Sequence, residues 1–399
     1  MSQHEISDAR SPLALLRQRV VARLLASSLL GRLPTGMIPV ALVLFTRGSS
    51  EGYGVAGALA AAYTAGTAVG GPVLARRMDR TGQTRVIVGA GVLCSAALAA
   101  LPFVGPLTGI VVAVIAGAAT PPVEPGLRAI WPTVLGEREV PRVYALDAAS
   151  QELIFVLGPL IVLIATAFGP AGGLYAAAVI GLAGTLWFAA APQSRQWRPA
   201  EVEERHWAGA LRPPRLRRVY VSMLLAGLTI GTYPVAAAAF SEASGHRGWT
   251  AWLVAANAGG ALFVGVWFSG RSDRVSPGRV LPWLLGALGV GYLPMAFVPT
   301  SSGAFPLALA FSVVSGLCLP PIITLVFLAI DRLAPAGTVT EAFAWLITAF
   351  LVGSSIGAAV AGVLVTAAAV PWVFALACAS SLVGALPTIR VLAGRDAPA

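Results

Sequence analysis

Long apolar runs alternate with short polar connectors along almost the whole chain. The runs fall at 20–46, 54–75, 85–104, 107–131, 144–168, 171–191, 219–241, 249–269, 280–298, 305–330, 342–367 and 370–391. A helix needs roughly 20 mostly apolar residues to cross hydrocarbon, and these runs meet that length. They are much longer than barrel strands and lack their strict alternation. Backbone amides in hydrocarbon must bond within their own helix or a closed barrel. The pattern therefore predicts an all-α membrane protein with twelve transmembrane helices.

The connectors alternate in character. Those after the odd-numbered runs are short and carry only Arg47 and Arg247. The others hold Arg76, Arg77, Arg80, Arg85, Arg138, Arg142, Arg271, Arg274, Arg279 and Arg332. Basic loop residues stay on the cytoplasmic side, so both termini are expected there, in the plasma membrane of a bacterium (its inner membrane). The longest polar stretch, Gln193 to Arg218, carries seven Arg and three Glu. It reads as a cytoplasmic linker, either solvated or lying on anionic lipid. The first residues are polar and contain no short apolar core with a cleavage site, so no cleaved signal is expected.

The two sides of that linker repeat each other. Asp79-Arg80 with Arg85-Val86 recurs as Asp273-Arg274 with Arg279-Val280. Gly36 with Pro39-Val40-Ala41 recurs as Gly231 with Pro234-Val235-Ala236, and Gly117 with Pro121-Pro122 recurs as Gly316 with Pro320-Pro321. Three matches in the same order, each roughly 195 residues apart, point to an internal duplication, the construction of parallel-repeat transporters. The expected domains are a six-helix bundle over 1–192, a linker over 193–218 and a second bundle over 219–399, related by a pseudo-two-fold axis.

Composition narrows the picture further. Hydrophobic residues make up 57% and charged residues 11% of the chain, where a soluble domain has about 25% charged. The net charge of +10 would suggest nucleic acid in a soluble protein, but here the arginines sit in the loops, and no nucleic-acid partner is expected. Cys94, Cys318 and Cys378 all lie inside apolar runs and read as small packing residues rather than a disulfide framework. No metal-ligand spacing, nucleophile elbow or phosphate-cradling loop occurs. Neither an enzyme nor a resident metal or cofactor is implied.

The loop between the second and third runs reads Gly71-Pro-Val-Leu-Ala-Arg-Arg-Met-Asp79-Arg80-Thr-Gly82-Gln-Thr-Arg85. This resembles the signature loop of the major facilitator superfamily, with its Asp-Arg-x-Gly core intact, Gln83 at the first basic position after the glycine, and the leading glycine displaced. A degenerate copy, Gly270-Arg-Ser-Asp273-Arg274 to Arg279, stands at the equivalent place in the second half. The resemblance covers the whole chain and implies two bundles rocking about a central site. The residues suggest how the loop works. Asp79, at the end of one helix, can accept from the free amides at the start of the next. Arg80 and Arg85 are expected to hold that carboxylate, whereas Arg76 and Arg77 read as ordinary loop charges. The loop would then act as a cytoplasmic latch built from Asp79, Arg80, Gly82, Arg85, Asp273, Arg274 and Arg279.

In the fifth run, Gly158-Pro159 is similar to the antiporter signature of the family's drug-export branch, although Ile154, Val162 and Leu163 replace its flanking glycines. A kinked packing helix accounts for the pair equally well. Gly353-Ser-Ser-Ile-Gly357 with Gly362 offers a small-residue counterpart in the eleventh run.

Charges at membrane depth are costly and usually face an interior. Arg32, Glu124 and Glu152 fall at similar depth, roughly 16 Å from the cytoplasmic end for Arg32 at 1.5 Å per residue. Asp147 and Arg128 lie nearer the surface. Two readings stay open. One is a carboxylate that releases Arg32 and carries a proton, with Glu124, Glu152, Arg32 and Asp147 as candidates and Glu124 preferred. The other is a static ion pair, or Glu124 bonding Arg128 one turn on.

The second half has no ionisable group deep in a helix and offers neutral polar and aromatic groups instead. By resemblance, helices 1, 4, 7 and 10 line the cavity. Tyr233, Thr324, Asn257 and Trp345 are the expected substrate contacts. One charged cluster with otherwise apolar and aromatic walls suits a small amphipathic or lipophilic solute. The reading is a monomeric, proton-coupled exporter working by alternating access. Import or facilitated passage of a metabolite, and a non-transporting receptor or scaffold, are the alternatives.

Overall fold

The computed structural model describes residues 12–48, 53–198, 208–246, 248–272, 275–366 and 370–389. Among them are twelve helices long and apolar enough to cross a membrane. They are α1 (Arg19–Thr46), α2 (Val55–Thr81), α3 (Gln83–Phe103), α4 (Pro106–Val134), α5 (Val140–Thr166), α6 (Gly172–Ala189), α7 (Pro214–Ala243), α8 (Trp249–Ser269), α9 (Pro277–Phe297), α10 (Phe305–Leu333), α11 (Val339–Val365) and α12 (Val370–Ile389). No strand occurs among the described residues. Large apolar side chains such as Leu107, Phe168, Phe263 and Trp283 stand outward on these helices. Such a surface is stable only against hydrocarbon. The chain is the all-α, twelve-span membrane protein that its hydropathy predicts.

Two spans expected as single helices are broken. α4 consists of Pro106–Ala118 and Val123–Val134, and α10 of Phe305–Gly316 and Leu319–Leu333. Each break adjoins a Pro-Pro pair, Pro121-Pro122 or Pro320-Pro321. Proline lacks the donor a helix interior needs, and it disfavours helical backbone in the residue before it, so the chain restarts its helix there. α3 and α9 also end alike, in 3-10 turns at Leu101–Phe103 and Leu293–Phe297.

The chain divides into two compact units. The first contains Met1–Val140, Ser150–Gly209 and Pro335–Thr348; the second contains Pro141–Ala149, Ala210–Ala334 and Ala349–Ala399. The opening turns of α5 thus group with the second unit and those of α11 with the first. Within the first unit α1 packs on α6, α2 on α4 and α3 on α6. Within the second, α7 packs on α12, α8 on α10 and α9 on α12. The pairings repeat with a shift of six helices.

Glycine permits one of these pairings. A Cβ on Gly117 of α4 would collide with the Tyr63 carbonyl of α2, and one on Gly316 of α10 with the Asn257 carbonyl of α8. Both pairs of backbones touch at matching places. The first unit's apolar core fills in around this contact, with Leu33, Met37, Ile38 and Leu42 of α1 against Leu98 of α3, Ala113 and Ala116 of α4 and Leu174 of α6.

Candidate functional site

The loop after α2 begins with a buried carboxylate. Asp79, 2% exposed, accepts from the Thr340 amide at 3.2 Å and the Glu341 amide at 2.7 Å. These amides lie in the first turn of α11, where the helix supplies them no carbonyl partner and its dipole favours negative charge. Glu341 is itself buried, and Arg76 meets its carboxylate with two nitrogens, Nε at 3.0 Å and Nη2 at 2.5 Å. Trp345 Nε1 donates to the same carboxylate at 3.3 Å. Trp345 thus orders the start of α11, and a hydrogen bond already engages its ring nitrogen.

The expected division among the loop arginines is reversed. Arg80 and Arg85 are exposed and make no ion pair among the described residues, whereas Arg76 makes the bidentate one. Arg76 lies three residues before Asp79, so one face of α2 presents both to the start of α11. Arg80, at the end of α2, is exposed, and Arg85 belongs to α3. Gly82 has φ +90° and precedes the helical part of α3; an L side chain would be strained there. Gln83 is buried and donates to the Gly126 carbonyl of α4 at 3.1 Å. In the second copy Arg279 is exposed, and Asp273 and Arg274 lie outside the described residues.

The charged cluster at membrane depth sits where α4 restarts. Glu124 is in the first turn of Val123–Val134. Its Oε1 pairs with Arg32 Nη2 of α1 at 3.3 Å and with Arg128 one turn further along α4. Arg32 and Arg128 are 5% and 1% exposed and Glu124 17%, so both arginines are buried in the protein. The Arg128 guanidinium lies 5.7 Å from the centre of the Phe343 ring, within cation–π range. One carboxylate thus meets both arginines in this structure. Glu152 does not join them. It is half-buried and makes no ion pair among the described residues. Asp147 is fully buried and belongs to the second unit.

Gly158 lies against the backbone of Gly36 in α1, and a Cβ on Gly36 would in turn meet Ile154. The Gly-Pro pair of α5 therefore makes a tight α1–α5 contact. Its repeat equivalent is made by Gly353 and Gly357 of α11 against the Leu224 and Leu228 carbonyls of α7; Gly362 faces open space.

The expected substrate contacts of the second unit are engaged in packing. The Tyr233 hydroxyl donates to the Leu253 carbonyl at 2.9 Å, and its ring meets Tyr292 edge-on. Thr324 is fully buried and donates to the Pro320 carbonyl of its own helix. Asn257 donates to Ser315 Oγ at 2.9 Å and reaches Tyr292 and the Ser312 carbonyl at 3.4 Å. Neutral donors in a helix bundle are satisfied by the nearest backbone or hydroxyl oxygen. Tyr233 and Asn257 thereby join α7 to α8 and α8 to α10, while Thr324 bonds within α10.

Twelve spans, two broken helices at matching places and charges gathered at membrane depth define a polytopic α-helical transporter rather than an enzyme. The sequence profile of the Major Facilitator Superfamily matches residues 24–327; the chain belongs to that family. A bacterial homologue of the iron transporter ferroportin, solved in an outward-facing state, is similar over 93% of this chain and 99% of its own, with TM-score 0.74 and 16% identity. FucP in the outward conformation is similar over 92% and 97%, with TM-score 0.70 and 16% identity. The human organic anion transporter MFSD10 is similar over 93% and 99%, with TM-score 0.65 and 12% identity. A comparison with curated protein sequences finds no match.

Proposed function

We propose that the chain is a proton-coupled exporter of small amphipathic or lipophilic compounds, working by alternating access as a monomer in a bacterial inner membrane, with both termini and the 193–218 linker cytoplasmic. The observation that carries the coupling is the contrast between Glu124 and Glu152. Glu124 is counter-charge to two buried arginines, and giving it up would strand both. Glu152 has no ion-pair partner among the described residues, so gaining or losing a proton there leaves no arginine without its counter-charge. Glu152 thus replaces Glu124 as the preferred carrier. The Asp79–α11 contact serves as the latch on the arginine-rich side, made in one state of the cycle and released in the other. Two-bundle rocking about the linker supplies that motion.

Fold alone leaves cargo and direction open, since the solved relatives include a fucose:proton symporter and a homologue of an iron transporter. Export is favoured by the Gly158-Pro159 pair and by a second half without deep charges. The test uses proteoliposomes loaded with a lipophilic fluorescent dye. A pH gradient should drive dye against its own gradient with the native chain. Glu152→Gln should lose that flux, keep dye-for-dye exchange and keep its melting temperature. If Glu152→Gln still concentrates dye with pH as the only driving force, Glu152 does not carry the proton. Dye and protons moving in the same direction would make the protein a symporter.

A further inference from the structure

Two adjoining cavities on the α2–α3–α4 face have no part in the transport reading. The first, of about 360 Å³, lies at the start of α3 and is lined by Thr81, Gln83, Arg85, Ser194, Arg195 and Arg198, among others. Gly82 gives α3 no side-chain cap, so its first amides present partial positive charge here. Thr84 Oγ1 donates to the Ser194 carbonyl at 3.4 Å and fixes the short helix Pro192–Gln196 beside this point. Arg85, Arg195 and Arg198 are exposed, and none makes an ion pair among the described residues. The Ser194 hydroxyl and the Gln83 side-chain oxygen are buried, border the cavity and have no hydrogen-bond partner. Arg198 also donates through Nη1 to the Arg195 and Trp197 carbonyls. Three guanidiniums without a carboxylate partner among the described residues join free helix amides and a waiting hydroxyl donor in a site for an anion.

The second cavity, of about 560 Å³, shares Thr81 and Arg85 with the first and runs along α2, α3 and α4. Arg77 stands with Arg85 on its polar side. Elsewhere its walls are apolar, including Gly89, Leu93, Ile115 and Ala118. Leu93 and Ile115 are exposed within spans α3 and α4, on a surface that contacts hydrocarbon. A soluble anion would fill only the first cavity and an isolated acyl chain only the second. A molecule with an anionic head joined to an apolar chain fits both at once.

We propose that this face is a binding site for an anionic phospholipid, its phosphate held by Arg85, Arg195, Arg198 and the start of α3, and one acyl chain lying in the groove past Gly89. The lipid would bridge α3 to the short helix that opens the linker. Basic residues at a membrane surface attract anionic lipid by about 1 kcal/mol each, or roughly fivefold in affinity.

The full-length protein in detergent is titrated with phosphatidylglycerol, phosphatidylcholine and inorganic phosphate, and binding is read by native mass spectrometry and melting temperature. Phosphatidylglycerol should remain bound and raise the melting temperature; phosphatidylcholine should do neither at the same concentration. Arg195→Ala and Arg198→Ala should each weaken phosphatidylglycerol about fivefold and together about 25-fold, roughly additively for independent phosphate contacts. Gly89→Leu should weaken the lipid and leave inorganic phosphate binding unchanged, because a Cβ at Gly89 meets only open space. If inorganic phosphate binds as well as the lipid and Gly89→Leu changes nothing, the site takes a free anion only and the proposal fails. Native affinity in the double arginine variant would overturn it equally. None of these readouts depends on transport.

Discussion

The segments after the breaks in α4 and α10 show how far the two copies of this fold have parted. Both restart beside a Pro-Pro pair, after it in α4 and with it in the first turn in α10, and both helices are held against a neighbour by a glycine, Gly117 on α2 or Gly316 on α8. In the first copy the next turns carry Glu124 and Arg128; Ile323 and Phe327 stand at the corresponding positions of the second. Arg128 faces the ring of Phe343 at the start of α11. Phe327 meets the ring of Tyr144 at the start of α5 edge-on, at 5.7 Å. The aromatic partners correspond as well. The duplicated backbone has been kept while the chemistry on it has diverged. One copy gathers buried charge that must remain balanced, and the other fills the same places with apolar and aromatic groups.

The largest expected effect tests that asymmetry directly. Glu124→Gln removes the counter-charge of two buried arginines and should cost about 3–5 kcal/mol, seen as a large fall in melting temperature and folded yield. Ile323→Leu, at the matching position of the second copy, should cost on the order of 1 kcal/mol, because a similar apolar volume remains. Equal losses would break the comparison. A second pair tests the part that is shared. Gly117→Val and Gly316→Val each drive a side chain into backbone and should cost about 3 kcal/mol apiece, with matching drops in melting temperature. A wide gap between them would mean that the copies differ in backbone packing too. The smallest effect concerns the start of α11. Asp79→Asn keeps the shape but loses the charge that two amides share, a change of about 1.5–3 kcal/mol for hydrogen bonds to a charged group. Hydrogen exchange over 335–345 should quicken without global unfolding. Unchanged protection there would leave Asp79 an ordinary loop residue.

Hydropathy, proline spacing and the repeat were enough to give twelve spans, their order and the duplicated glycines, because hydrocarbon allows a backbone few alternatives to the helix. Asp79, Arg32 and Glu124 could be singled out for the same reason, since a charge amid apolar residues is conspicuous in one dimension. The pairing of Glu124 with Arg32 or Arg128 could be read there too, but the partner of Glu341 could not. Arg76 and Glu341 are 265 residues apart, and nothing local to either distinguishes the bidentate arginine from exposed Arg80 and Arg85. Only the fold shows Arg128 buried between Glu124 and Phe343. Tyr233, Asn257 and Thr324 looked like free polar groups for a substrate. Tertiary packing instead supplied Tyr233 and Asn257 with an oxygen acceptor, and Thr324 found one in its own helix, as the cost of an unmet donor in a dry interior requires.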